Sequence, residues 1–267
     1  MAHPRVYTTE AVILRRIDFG EADRILTLFT PTYGKVRAVA KGVRRTTSRL
    51  AGHLEPFTRT QLLLATGRDL DIVTQAEAKE RLDALRQDVW HATGAWYAAE
   101  LVDRFLEDAD PHPRLYTLFV ETLRRLEEGA RIGASAEAQS WLALRYFELR
   151  LLDELGFRPN LHHCVSCDTP LKPEENAYNA EMGGALCPNC RRYAQRRLPL
   201  NTLKVLRLLQ TTNWEAVPRL LLDADVRTEM EGALRASLRY HLDRDLKSWN
   251  FLHGVSPTGA PSTEESG

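Results

Sequence analysis

Cys164-Val-Ser-Cys167 and Cys187-Pro-Asn-Cys190 hold all four cysteines of the chain, and 19 residues separate the two pairs. Paired CxxC units at this spacing are the pattern of a four-thiolate zinc site, because each unit turns tightly enough to aim two sulfurs at one point. The chain between them must then double back, and residues 177–186, with Gly183-Gly184, are expected to form a hairpin. Four thiolates saturate tetrahedral zinc and leave no position for water. Cys164, Cys167, Cys187 and Cys190 are therefore expected to hold a structural Zn2+, not a catalytic one. His162 and His163 flank the first unit and read as exposed loop histidines, since four cysteines already complete the ligand set. A redox role for the CxxC units would need an oxidoreductase fold, which nothing in the chain suggests.

The first 80 residues carry only strand signals. Short β-branched or apolar runs at 8–16, 23–30, 35–43, 58–65 and 70–76 are separated mostly by turn residues. A polar insertion at 44–56 follows the third run and can form one or two helical turns. Five strands with a helical insertion after the third is the plan of an OB-fold, although another small barrel has the same strand count. From residue 81 the apolar period changes to three and four. Leu82, Leu85, Val89, Trp96, Tyr97, Leu101, Val102 and Phe105 mark one helical stretch, and Leu115, Leu118, Phe119, Leu123 and Leu126 a second. A third spans 137–155, with Trp141, Leu144, Leu149 and Leu152 inward, and further helices are expected at 202–211 and 227–249. The expected fold is α+β and multidomain: an OB-fold barrel at 1–80, a helical domain at 81–160, a zinc module inserted at 161–198, completing helices at 199–254 and a disordered tail at 255–267.

The chain has 267 residues, 43% of them hydrophobic, and 36 basic side chains balance 36 acidic ones. That composition excludes collagen-like, disordered and disulfide-scaffold classes. The balance hides a segmented pattern. Residues 31–60 carry seven bases against Glu55 alone, and no acid falls between Met182 and Trp214, where Arg191, Arg192, Arg196, Arg197, Lys204 and Arg207 lie. On a strand over 35–41 the alternation of side chains turns Val36, Ala38 and Ala40 inward and Lys35, Arg37 and Lys41 outward. Arg44, Arg45 and Arg49 continue this basic strip, which can track a phosphate backbone; a solvated edge strand is the plainer reading. Among the aromatic residues nearby, Phe29 is expected in the core and Tyr33 is the better candidate for stacking on bases. Arg191, Arg192, Arg196 and Arg197 extend the expected nucleic-acid surface.

No glycine-rich phosphate loop, HExxH or GxSxG is present. His53-x-Glu55 followed by CxxC imitates a nucleobase-deaminase signature only in part, because Leu186 replaces the proline before Cys187. Acidic pairs such as Glu127-Glu128 and Asp153-Glu154 are expected to be solvated helix faces, so no enzyme is predicted. The start MAHPRVYTTE lacks an apolar signal region, and no run of 18 apolar residues occurs, so a cytoplasmic location without membrane contact is expected.

The segments FGEADRILTLFTPTYGKVRAVAKGVRRTTSRLAGHLEPF (19–57), LRLLDELGFRPNLHHCVSC (149–167), GGALCPNC (183–190) and LKSWNFL (246–252) together resemble the bacterial recombination mediators of the RecO family. The resemblance spans nearly the whole chain. It implies an OB-fold, a helical domain and a zinc module, with a non-enzymatic, nucleoid-associated role in DNA repair. That role is binding single- and double-stranded DNA, annealing complementary strands and, with the partner RecR, helping replace single-strand-binding protein (SSB) by RecA. It places the basic surface on Lys35, Arg37, Lys41, Arg44, Arg45 and Arg49 and the zinc ligands on the four cysteines. Some family members lack the cysteines, which implies that zinc holds the fold without being needed for activity. Arg104, Arg124 and Arg125 offer charge to the acidic C-terminal tail of SSB. A zinc-ribbon RNA-binding or transcription factor is the competing reading, distinguished by preference for RNA over DNA.

Overall fold

The computed structural model describes residues 5–217, 220, 222–242 and 246–254; the tail expected to be disordered lies outside them. The described residues form two compact units, a barrel unit from 1–134 with 247–267 and a cysteine unit from 135–246. Among the described residues no helix is long and apolar enough to cross a membrane.

In the barrel unit, five strands close in the order β1-β2-β3-β5-β4. They are β1 (Val6–Phe19), β2 (Asp23–Thr30), β3 (Gly34–Ala40), β4 (Arg59–Ala65) and β5 (Asp71–Glu80). β1 is long enough to serve two neighbours: its first half pairs with β4 and its second with β2, across an irregularity between Ile13 and Arg15. Closure comes from a short parallel pairing of β3 with β5 at Ala38 and Val39. Inward residues alternate along each strand, and Ile13, Leu26, Leu28, Ala38, Ala40, Leu62 and Leu64 fill the barrel. The insertion between β3 and β4 contains a single 3-10 turn, Ala51–His53.

β2 is buried on both faces over its last five residues. Leu26 and Leu28 enter the barrel, whereas Phe29 turns outward onto Tyr116 and Phe119, with ring centroids at 5.4 and 6.1 Å. Those rings belong to α3 (Pro113–Ile132), which with α1 (Asp83–Gln87), α2 (Val89–Phe105) and α7 (Lys247–Gly254) completes the unit. Asp88 caps α2 through the His91 N–H at 2.9 Å. The Glu127 carboxylate accepts the Leu85 N–H at 2.6 Å and so caps α1; it is buried instead of lying on a solvated face. Ser248 donates to Glu100 and Trp249 packs edge-on against Tyr97, which fixes α7 on α2. The single helix expected over 227–249 is thus two helices, the first of them in the other unit.

The cysteine unit contains α4 (Glu137–Glu154), a small sheet in the order β7-β6-β8, α5 (Leu200–Thr211) and α6 (Ala224–Leu242). β6 (Asn176–Asn179) and β7 (Gly184–Leu186) form the expected hairpin, and β8 (Arg196–Leu198) adds to its other edge. Gly184 has to be glycine: φ is +155° and a Cβ there would lie 2.3 Å from the Asn160 carbonyl oxygen. α4 is buried all round from Leu142 to Leu149, and its fully buried Arg145 pairs with Glu148 at 2.6 Å and with Glu231. Tyr178 and Ser237 share a 2.6 Å hydrogen bond that joins the sheet to α6.

Candidate metal centre and nucleic-acid interface

Each CxxC unit is a closed turn. In the first, the Asp168 N–H donates to the Cys164 carbonyl at 2.9 Å, and Asp168 takes a left-handed conformation with φ +58°. In the second, the Cys190 N–H donates to the Cys187 carbonyl at 3.0 Å. Val165 N–H to Ala185 carbonyl, at 3.0 Å, laces the first turn to β7, which leads directly into the second. The result brings four sulfurs within 4.8 Å of one another. No pair of them is a disulfide.

Cys167 Sγ and Cys187 Sγ lie 3.7 Å apart. Tetrahedral zinc with Zn–S of about 2.3 Å needs a sulfur–sulfur edge of about 3.8 Å, so the spacing suits a tetrahedral thiolate-binding metal. Hydrogen bonds from Thr169 bring the Cys167 thiol down to about 6. Burial pushes Cys164 up, but backbone N–H groups of Cys187, Ser166 and Cys167 outweigh it and hold the thiol below its ordinary value. Ser166 lowers Cys190, yet burial and the three neighbouring thiols raise it to about 11. Loss of each proton makes the next loss harder, and a divalent cation removes that conflict. The cluster contains no histidine. His162 and His163 are exposed, and their N–H groups donate to Asn160 Oδ1 at 3.1 and 3.0 Å.

On the barrel the expected basic strip divides. The outer face of β3 starts under the helical layer and ends in solvent. Gly34 lets the segment at 108–110 approach so closely that a Cβ would sit 2.2 Å from the Asp110 carbonyl oxygen. Lys35, next in the strand, therefore meets helix ends and not solvent: Nζ donates to the Asp103 carbonyl at 2.7 Å and lies 3.3 Å from its carboxylate and 3.5 Å from Asp108. Its side chain is 12% exposed. Lys35, expected at the phosphate backbone, thus stands in ion pairs within the barrel unit. Arg37, Lys41, Arg45 and Arg49 are exposed and make no ion pair with a described residue. Glu55, the sole acid in that stretch, is taken by Arg16 and Arg24. Arg44 is held 3.4 Å from Asp18, whose carboxyl Arg24 and Arg44 together keep below the usual range.

Register adds Arg15 to this face. Thr27 opposes both Arg15 and Arg37, so the two arginines stand in one row across β1, β2 and β3 on the same face. Tyr33 is not the free ring that was expected: it packs on Tyr7 with centroids 4.5 Å apart. Phe19, 53% exposed at the end of β1, is the barrel ring open to solvent.

In the cysteine unit the acid-free stretch is neutralised by acids from its flanks. Arg191 pairs with Glu175 at 3.0 Å, Arg196 with Glu229 at 3.4 Å, and Arg197 lies within reach of Glu175, Asp225 and Glu229. Arg192 stacks on Tyr193 at 4.7 Å. At 191–197, Arg191, Arg196 and Arg197 thus stand in surface ion pairs, and Arg192 makes none with a described residue. Elsewhere, Arg124 grips Glu80 twice at 2.8 Å and Arg125 pairs with Glu121, whereas Arg104 only approaches Glu100 at 4.0 Å. His53 accepts the Ala78 N–H at 3.0 Å and serves the barrel.

Comparison with known proteins agrees with this architecture. Residues 1–81 match the family model for the recombination protein O N terminal, and residues 86–250 that for its C terminal. The chain is 45% identical over 253 residues to the DNA repair protein RecO of Roseiflexus sp., covering 94% of this chain and 86% of that one. It is 36% identical over 257 residues to RecO of Dehalococcoides mccartyi, covering 96% and 98%, and 37% identical over 252 residues to RecO of Geobacter metallireducens, covering 93% and 98%. A closed five-stranded barrel, a helical region, a four-cysteine cluster and matches along almost the whole length agree on one conclusion: the chain belongs to the RecO family of DNA repair proteins.

Proposed function

We propose that this protein binds single- and double-stranded DNA, anneals complementary strands and, with RecR, helps load RecA onto DNA coated by SSB. The observation that carries the reading is the row of exposed cations on the barrel, Arg15, Arg37, Lys41, Arg45 and Arg49, without acid partners among the described residues. Pairing of complementary strands is downhill once they meet, and phosphate repulsion is what slows the meeting. A protein needs no nucleotide site to help; it needs cations to neutralise the backbones and a ring, here Phe19, to hold a base. Non-enzymatic mediation follows from that chemistry. Zn2+ in the four-cysteine cluster has a structural part, holding the two turns together. Arg104 and Arg15 line a groove with Leu14, Trp96 and Phe251 in which Glu100 is bound by Ser248 and Asp103 by Lys35, which favours this wall of the barrel unit as the contact for the acidic tail of SSB.

Reversing charge at Arg37, Lys41, Arg45 and Arg49 tests the reading. Each lost phosphate contact lowers the slope of log K against log salt by about 0.7 on single strands and about 0.9 on duplex. Fluorescence anisotropy on both DNAs at several salt concentrations should show the slope fall by about 3 on single strands and about 3.5 on duplex in the fourfold variant. An unchanged slope would place the DNA elsewhere.

A further inference from the structure

β1 carries an extra residue. Ile13 faces Leu28 and Arg15 faces Thr27, so β1 advances two positions while β2 advances one. This is a β-bulge, a device that re-aims the side chains beside it. Regular alternation would send Arg15 into the barrel behind Ile13. The bulge turns it outward instead, onto the face where Thr27 stands between it and Arg37. Leu14 and Arg15 consequently face out together and form one wall of a groove that α2 and α7 complete.

The groove encloses about 690 Å³, within the size range of small-ligand sites. Trp96, Glu100 and Asp103 line it from one stripe of α2, and Ser248 and Phe251 from α7. Trp96 is 41% exposed and Phe251 60%, so the groove offers apolar rings to a ligand. Its charges are mostly matched already. Glu100 accepts the Ser248 N–H at 2.9 Å and stands 4.0 Å from Arg104, and Asp103 lies 3.3 Å from Lys35. Arg15 is exposed and makes no ion pair with a described residue. An acidic peptide lying along Trp96 and Phe251 therefore finds its ready partner in Arg15, because taking Arg104 from Glu100 or Lys35 from Asp103 would strand a carboxylate. DNA on the barrel face needs the same guanidinium, which stands in one row with Arg37. Its bidentate fork fits a carboxylate or a phosphate equally well, and the two anions repel each other where they meet.

We propose that Arg15 is shared between the groove and the DNA row, so that an acidic peptide in the groove and a DNA strand on the barrel weaken each other's binding. This rests on the reading above, in which the groove takes the acidic tail of SSB and the barrel takes DNA. It adds an order of events: protein held by such a tail gives it up as DNA reaches Arg15. Because linkage is reciprocal, the tail must weaken DNA by the same factor as DNA weakens the tail.

The test is equilibrium binding of the full chain to a fluorescent peptide of aspartates and leucines and to a fluorescent oligothymidylate, each alone and with the other unlabelled at saturation, over several salt concentrations. Wild type, Arg15→Gln and Arg37→Gln are compared, each checked for unchanged melting. Saturating peptide should weaken oligothymidylate binding about fivefold and lower its salt slope by about 0.7, and saturating oligothymidylate should weaken the peptide by the same factor. Arg15→Gln should weaken both ligands and remove their mutual effect. Arg37→Gln should lower the oligothymidylate slope by about 0.7 and keep the mutual effect. Two ligands that bind wild type without influencing each other would overturn the sharing and leave both sites standing. A mutual effect of full size in Arg15→Gln would overturn the assignment to Arg15. Wild-type protein that binds oligothymidylate but not the peptide would overturn the groove reading and this inference with it, and protein that binds no DNA would overturn the DNA-binding reading.

Discussion

Lys35 and Arg37 share one face of β3 two residues apart, and the physics around each gives them different work. The Lys35 ammonium is bound by Asp103 and Asp108, whereas Arg37 faces solvent with only Thr27 and Arg15 across the sheet. Lys35→Ala leaves a half-buried carboxylate and a carbonyl without their donor, so urea unfolding should show a loss of about 1–3 kcal/mol with the DNA salt slope unchanged. Arg37→Ala should do the opposite, leaving stability alone and lowering the single-strand slope by about 0.7. A second residue-scale consequence concerns pH. The Arg124 guanidinium, with help from Arg59, holds the Glu80 carboxyl below its ordinary value of 4.5. A depressed folded pKa means that the network stabilises the protein above the unfolded value and loses that contribution as pH falls through the folded one. Glu80→Gln should therefore narrow the stability difference between pH 7 and pH 3; a wild-type pH profile in that variant would remove Glu80 from the account.

At the scale of elements, the four-cysteine spacing and the strand runs were readable because each reflects a local rule. A CxxC turn closes on itself, and alternation alone separates Ala38 and Ala40 from Arg37. What stayed hidden depends on partners far away in sequence. Nothing local says that Lys35 meets Asp103, that Thr27 aligns Arg15 with Arg37, or that Glu175 and Glu229 neutralise Arg191, Arg196 and Arg197. The acids at Asp103, Glu107, Asp108 and Asp110 were the available signal, since such a cluster seeks a nearby cation. α7 illustrates the same limit: periodicity runs on from α6, yet Trp249 packs on Tyr97 in the barrel unit. The cysteine turns carry their own prediction. With the proposed Zn2+ in the cluster, chelation should release one zinc per chain and speed amide exchange across 164–190, because such a metal would replace core that so small a sheet lacks, while exchange in the barrel strands stays as it was. Uniform exchange before and after chelation would make the cluster ornamental to the fold.

For the whole molecule, formal neutrality is compatible with DNA binding because charge is sorted in space and not merely in sequence. Acids and bases pair off along α2, α3 and β8, while Arg37, Lys41, Arg45 and Arg49 stand together around β3 and its insertion without an ion pair to a described residue. Neutral proteins with such a patch gain affinity from counterion release without the nonspecific attraction of a basic chain. In the proposed function this patch joins complementary strands. It is tested most directly by energy transfer between two fluorescent complementary oligonucleotides, one coated with SSB, mixed with the protein at low and moderate salt. Pairing accelerated at low salt, weakened steeply as salt rises and lost on charge reversal of Arg37, Lys41, Arg45 and Arg49 is the predicted result. Acceleration that ignores both salt and the four substitutions would contradict it.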